Sequence, residues 1–311
     1  MPKISMFGVS RAGKTCFLYA MSQIMDDGAR LREDEFRLQI KANNLEQAET
    51  LYEGYMKLVQ DTWPRGTDET NYFDFRVAIQ TKDNYNDCFI PQLTLLDYKG
   101  GVWNLNDQQN VAERNNILSQ FKDSSALVFL VDGETLLHAM NTDERDTVHR
   151  SMSSTPQIID ARNKIRFIEN IFFEYKRQGI KVIPPVLVAI TKSDVFASDR
   201  ELQTGIIYLK ESLSSIFAKG SNIDAAITSF SLGENLSGKE GERASGRFCL
   251  NTEHGIHLPM LFGVYAILSE GYDGFSPDEK RIAESAMKSM RKMMNGKIEM
   301  INNGYPVFEV S

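Results

Sequence analysis

Eight residues near the start of the chain, Gly8-Val-Ser-Arg-Ala-Gly-Lys-Thr15, restrict the fold more than any other stretch. They match G-x-x-x-x-G-K-[ST] and follow a short apolar segment, Lys3-Ile-Ser-Met-Phe7, which suits a buried central strand. After them Phe17, Leu18, Met21, Ile24 and Met25 recur at helical spacing, and the helix is expected to stop near Asp27-Gly28. A strand that turns at once into a helix leaves the helix's first N–H groups without intrahelical partners, all pointing to one place. Glycines let the backbone curl round that place, so an anion is expected there, a phosphate above all.

The rest of the chain alternates strand and helix signals. Phe36 to Ile40 reads as a strand and Leu45 to Val59 as a helix, before Trp63-Pro-Arg-Gly66 breaks the pattern. Tyr72 to Ile79 and Phe89 to Leu96 read as a hairpin around Asp83 to Asp87, followed by a polar helix from about Gln108 to Phe121. Ala126 to Val131 and Pro185 to Ile190 are wholly apolar runs, as strands covered on both faces require. Between them lie a polar insert, Glu134 to Pro156, and a long helix to about Arg177. A helix near Glu201 to Ala218, a weaker strand at Ala225 to Phe230 and a helix at Leu258 to Glu270 follow. The expected fold is a three-layer α/β P-loop NTPase fold, with a mostly parallel sheet and one antiparallel hairpin strand. The domain reading is 1–272 with insertions near 28–62 and 133–156, then 273–311 as a C-terminal helix and small hairpin.

In a phosphate loop of this kind Lys14 reaches the β- and γ-phosphates, and the Thr15 hydroxyl is a hard oxygen ligand for Mg²⁺. Leu93-Thr-Leu-Leu-Asp-Tyr-Lys-Gly100 places Asp97 at the C-terminal end of an apolar strand, the edge where ligands bind in open α/β sheets. A carboxylate there can hold Mg²⁺, while Gly100 lets a backbone N–H approach the γ-phosphate. Thr191-Lys-Ser-Asp194 directly follows another apolar strand. The Asp194 carboxylate can accept hydrogen bonds from N1–H and the 2-amino group of guanine, two donors that adenine lacks. The Lys192 stem can lie over the base plane.

Together, Gly8–Thr15, Asp97–Gly100 and Thr191–Asp194 resemble the phosphate, Mg²⁺ and guanine motifs of the Ras-like and translation-factor-related GTPases, over about residues 1–270. Trp63-Pro-Arg-Gly-Thr67 is similar to a stretch in bacterial GTPase-like proteins. The resemblance implies GTP and GDP as ligands, contacted by Gly8, Ser10, Arg11, Ala12, Gly13, Lys14, Thr15, Cys16, Thr191, Lys192 and Asp194. It adds a switch threonine on Mg²⁺, Thr67 or Thr70 with Thr67 preferred, and a last, weaker motif at Ser231-Leu232. Two departures stand out. Gly101 replaces the glutamine that commonly follows D-x-x-G and orients the attacking water. Arg11 stands where guanylate-binding proteins and atlastins carry an arginine finger in cis, an effect worth roughly 10³–10⁵ in rate where it operates. Arg11, Lys14 and Gly100 are therefore the candidate catalytic positions.

Composition narrows the class. The 311 residues carry a net charge of −7, which argues against broad nucleic-acid binding, and no apolar run approaches the roughly 18–20 residues that span a bilayer. Three widely spaced cysteines give neither a disulfide framework nor a zinc pattern, so a reducing, cytoplasmic setting without a signal peptide is expected. His138, His149, His254 and His257 show no metal-ligand spacing. Ser276, Pro277 and Glu279 start a C-terminal helix with a capping box, and its apolar stripe, including Ile282, Ala286 and Met290, is expected to pack on the sheet. The leading expectation is a Mg²⁺-dependent GTPase switch. The alternatives are a nucleotide-responsive scaffold with little hydrolysis and a P-loop kinase or ATPase. A protein effector and a nucleotide-dependent dimer are the partner classes, with 28–62 and the loop at 233–247 as candidate partner surfaces.

Overall fold

The computed structural model describes residues 2–9, 12–27, 36–64, 70–81, 84–97, 111–148, 156–179, 182–237, 245–249, 255–271, 273–302 and 305–306. In chain order the elements begin β1 (Lys3–Gly8), α1 (Lys14–Asp27), β2 (Phe36–Ala42), α2 (Leu45–Val59), β3 (Asn71–Thr81), β4 (Asn84–Asp97), α3 (Val111–Lys122) and β5 (Ala126–Asp132). They continue α4 (Gly133–Val148), α5 (Pro156–Arg177), β6 (Val186–Thr191), α6 (Asp199–Ser212), α7 (Ser214–Phe217), β7 (Asp224–Ser229), β8 (Gly233–Ser237) and β9 (Ser245–Phe248). The last four are α8 (Leu258–Glu270), α9 (Pro277–Met294), β10 (Glu299–Asn302) and β11 (Tyr305–Pro306).

One nine-stranded sheet has the order β11-β10-β7-β6-β5-β1-β4-β3-β2. Its five central strands, β4, β1, β5, β6 and β7, are parallel. The chain runs from β1 out to one side, then crosses from β4 to β5 on the other, so the order reverses around β1 and a crevice opens at its C-terminal end. This is a mixed α/β, P-loop NTPase-like arrangement.

Strand pleating explains the layers. Successive side chains point to opposite faces, and the central strands are apolar on both. Ile4, Met6, Val128, Leu130, Leu187 and Ala189 pack with α1, α2, α8 and α9. Phe7, Leu127, Phe129, Val131, Val188 and Ile190 pack with α3, α4, α5 and α6. Phe129 stacks 5.3 Å from Phe7 and lies 5.4 Å from Phe172 of α5, which fixes the second helix layer. Each such ring contributes roughly 1.5–3 kcal/mol by leaving water. On the first face α8 runs so close over β1 that a Cβ on Gly263 would stand 2.3 Å from Ile4 Cδ1. Ile282, Ala283, Ala286, Met290 and Met294 of α9 are buried in the same core, and its start carries the capping box Ser276–Glu279.

Three features differ from the sequence expectation. Antiparallel pairs flank the parallel core on both sides: β2 and β3 on one edge, β10 and β11 on the other. The polar insert after β5 opens as α4, because Leu136, Ala139 and Met140 give it one buried stripe at helical spacing that its many charges obscure. The segment after β7 pairs into the two-stranded β8–β9 sheet. That sheet docks on the end of α2: Asp61 Oδ1 accepts from the Phe248 N–H at 2.7 Å, and Trp63 and Tyr55 meet the Phe248 ring edge-on. No helix among the described residues is long and apolar enough to cross a membrane.

Candidate functional site

All five central strands point their C-terminal ends to one edge, and the described residues of the Gly8–Thr15, Asp97–Gly100 and Thr191–Asp194 segments sit there. Gly8 ends β1 opposite Leu130 of β5, and Asp97 ends β4 opposite Met6. Asp132 ends β5 opposite Thr191, which ends β6, and Ser229 ends β7 opposite Ile190. Parallel pairing thus converts sequence-distant segments into one continuous rim.

The described residues around the end of β1 are under tight constraint. A Cβ on Gly8 would lie 2.9 Å from the Leu130 carbonyl oxygen and 3.0 Å from Ala12 Cβ, so a glycine is required where the backbones touch. The fully buried Ala12 donates its N–H to the Val9 carbonyl at 3.1 Å. Gly13 has φ +81°, a left-handed conformation that glycine adopts at no steric cost, and α1 begins at the next residue.

Lys14 is 4% exposed, and its Nζ donates to the carbonyls of Gly8 at 3.0 Å and Val9 at 3.3 Å. Burial pulls its pKa below the ordinary lysine value, with the Asp97 carboxylate opposing that shift. Asp97 is fully buried, and burial raises its pKa, against which the Lys14 ammonium and the Thr15 hydroxyl work. Thr15 Oγ1 donates to Asp97 Oδ2 at 2.9 Å. Asp97 Oδ1, by contrast, has no hydrogen-bond partner among the described residues. An orphaned buried carboxylate oxygen beside a threonine hydroxyl is a hard donor set, and it fits a divalent cation of the Mg²⁺ class.

Cys16, the next residue on α1, lies within electrostatic reach of both halves of the site. Burial pushes its thiol up to about 12, the Lys192 ammonium opposing and the Asp97 carboxylate adding to the effect. Thr191 is buried and donates its hydroxyl to the Val131 carbonyl at 3.3 Å. Beyond it the chain makes a 3₁₀ turn, Ser193–Val195, whose Ser193 N–H bonds to the Phe230 carbonyl at 3.2 Å. This turn brings Asp194 to Ser231: Ser231 Oγ stands 2.6 Å from Asp194 Oδ1 and 2.5 Å from the Gly233 carbonyl oxygen. Leu232 is buried, and its carbonyl accepts from the Cys249 N–H at 3.0 Å. A cleft of about 630 Å³ opens on this side, lined in part by Asp194, Asp199, Ser231, Gly233 and Lys297.

Ser10, Arg11, Thr67, Gly100 and Gly101 lie outside the described residues, while Thr70 immediately precedes β3. The other predicted residues, Gly8, Ala12 to Cys16, Asp97, Thr191, Lys192, Asp194, Ser231 and Leu232, stand on or beside the rim.

Sequence reasoning overlooked Asp132 and Glu134. Lys192 Nζ lies 3.1 Å from Asp132 Oδ1 and 3.0 Å from Glu134 Oε2. Burial disfavours the Lys192 charge, yet these two carboxylates outweigh it and raise its pKa. The signal was present: Asp132 closes an apolar strand and precedes glycine, as Asp97 closes its own strand.

No protein-family model matches the chain, and no curated protein matches it. Among solved structures it is similar to the S. cerevisiae Ski7 GTPase-like domain, a structure bound to GTP, at 15% identity and a TM-score of 0.36. That alignment covers 83% of this chain and 50% of the Ski7 chain. A protein from Thermus thermophilus aligns at 14% identity and a TM-score of 0.33, over 94% of this chain and 36% of its own. This chain therefore spans half or less of the length of either match. At such scores neither likeness carries an argument about ligand or activity, and the fold rests on the strand order itself.

Proposed function

We propose that the chain binds a guanine nucleoside triphosphate together with Mg²⁺ and hydrolyses it slowly, as a conformational switch. One observation carries the reading: the Thr15 hydroxyl bonded to Asp97 at 2.9 Å, with the second Asp97 oxygen buried and without a partner among the described residues, beside the buried Lys14. Two motifs separated by 82 residues are thereby brought together, which supports reading them as a single cation-and-phosphate site. In the 1–272 body Thr15 and Asp97 would hold Mg²⁺, which supplies neutralisation of charge on the phosphate oxygens. Lys14 would exchange its two carbonyl partners for phosphate oxygens. An ammonium held in a poorly hydrated site acts on developing negative charge more strongly than one in water. Asp194 is proposed to read guanine through its N1–H and 2-amino group, and Ser231 fixes that carboxylate. The reaction is attack of water on the γ-phosphorus, with the GDP oxygen leaving and the water proton passing to phosphate.

Competition against fluorescent GDP tests the ligand. GTP is expected to displace the probe and ATP to fail; equal displacement by ATP would sink the guanine assignment. Asp194→Asn is expected to shift preference toward xanthine nucleotides. A second reading, a nucleotide-responsive scaffold that does not turn over, is favoured by Gly101, which has no side chain with which to orient water. Single-turnover phosphate release from wild type and Arg11→Ala separates the two. No release at all supports the scaffold, and equal rates remove Arg11 from the chemistry.

A further inference from the structure

The backbone joining β6 to the 3₁₀ turn is held by the start of α4, and the hold centres on Lys192. This residue adopts φ 51° and ψ 44°, a left-handed conformation that costs a non-glycine residue roughly 1–2 kcal/mol and persists only where surroundings enforce it. Two enforcing contacts are visible. Gly133 approaches so closely that a Cβ there would stand 2.6 Å from the Thr191 carbonyl oxygen and 2.8 Å from that of Lys192. The Lys192 ammonium is gripped by Asp132 and Glu134, with side-chain exposures of 16% for the lysine and 11% and 30% for the acids. Asp132 is itself anchored, since Oδ1 accepts from the Glu134 N–H at 3.3 Å and Oδ2 from the Thr135 hydroxyl at 3.2 Å. The pairs Lys41–Asp26 and Arg281–Asp278 are much more exposed, and such surface pairs fix little.

We propose that Asp132 and Glu134 are positioning residues for base recognition: they pin the Lys192 ammonium so that the lysine stem stands as a fixed wall of the guanine site beside Asp194. The inference rests on the guanine reading above. With the head group held at two points, the four-carbon stem loses the freedom that a lone lysine keeps, and that entropy is lost before the nucleotide arrives. Lys192 is two residues from Asp194, so the same clamp sets the pitch of the turn that presents the Asp194 carboxylate. Charge adds to the hold. Two carboxylates face one ammonium in a partly desolvated node, so Lys192 has no reason to leave it for solvent.

The test measures affinity for fluorescent GDP and for inorganic tripolyphosphate with Mg²⁺, using Asp132→Asn, Glu134→Gln, Lys192→Met and the combination of each carboxamide variant with Lys192→Met. Glu134→Gln alters the more exposed partner, so it tests the clamp even if Asp132→Asn fails to fold. Each single carboxamide variant is expected to weaken GDP about tenfold, leave tripolyphosphate within twofold, and cause no further loss once Lys192 is methionine. GDP affinity within twofold of wild type in a folded carboxamide variant overturns the clamp. An equal loss of both ligands overturns it too, since a general structural defect, and not a base wall, would be at fault. If wild type binds tripolyphosphate but not GDP, the guanine reading fails, and the clamp proposal falls with it.

Discussion

Gly133→Ala isolates the close approach between α4 and the Thr191–Asp194 segment. The added Cβ would stand 2.6 Å and 2.8 Å from two backbone oxygens, where ordinary contact begins at 3.4 Å, so the backbones must part by about 0.6–0.8 Å. Gly133 is not among the positive-φ glycines, so the cost is purely contact and not torsional strain. The neighbours cannot yield easily, because Thr191 is paired in register with Asp132 inside a sheet covered on both faces. Overpacking of this kind costs about 1–3 kcal/mol, and replacing glycine by alanine in a helix returns about 0.5–1 kcal/mol. The net loss of roughly 1–2 kcal/mol corresponds to a fall in Tm of about 1.5–3 °C at this chain size. GDP affinity should drop about tenfold or more, because the displaced oxygens belong to the motif itself. Gly205→Ala in α6 is the control: its nearest atoms, Met140 Sδ and Phe196 Cε1 at 3.2 Å, are ends of side chains that can shift. Thermal unfolding and GDP titration read both variants. Wild-type Tm and affinity in Gly133→Ala would refute the idea that this contact holds the motif in place.

Gly13→Ala meets open space but inherits φ +81°, so it should cost roughly 1–2 kcal/mol and weaken Mg²⁺-tripolyphosphate binding, measured by calorimetry. Asp97→Asn should abolish the Mg²⁺ dependence of nucleotide binding while stabilising the ligand-free protein at neutral pH. The sign follows from burial: Asp97's folded pKa lies above its unfolded value, so its favourable contribution is present in acid and lost as pH rises through the folded pKa. The variant's advantage in urea unfolding should therefore shrink toward about pH 4. Met290→Ala, at a fully buried position of α9, should cost about 2–5 kcal/mol and leave the GDP affinity of the folded protein unchanged, as denaturant curves and titration would report.

The elements legible in the sequence are those whose cause is local. β5 and β6 announce themselves as unbroken apolar runs because both faces are covered, and Gly8 to Thr15 does so because curling a backbone round a phosphate needs glycines at fixed offsets. α4 was obscured because Leu136, Ala139 and Met140 are its only buried apolar positions among the residues whose side chains are described. The strand β10, inside the edge strand β11, was equally hard to place in the sheet, since four residues of mixed polarity acquire their role only by pairing with their neighbours β7 and β11. Lys192 was legible as part of a motif, yet its restraint was not, because Glu134 lies 58 residues away and meets it only through parallel pairing of β5 with β6.

Asp97 and Asp132 carry the same sequence signal, a carboxylate closing an apolar strand at the ligand edge, and chemistry sorts them only through their partners. Asp132 is committed at both oxygens, to Lys192, the Glu134 N–H and the Thr135 hydroxyl. It therefore has little capacity left for a cation, and its effect passes through the lysine it holds. Asp97 is committed at one oxygen to Thr15, while the other is buried without a partner among the described residues, and a buried carboxylate in that condition is under pressure to find a proton or a cation. Lys14 is close enough to moderate that pressure but its ammonium bonds to the Gly8 and Val9 carbonyls, so it does not satisfy the oxygen directly. The two strand ends thus divide the labour of one rim, with Asp97 left open toward the proposed metal and phosphate and Asp132 closed upon Lys192, beside the proposed base site.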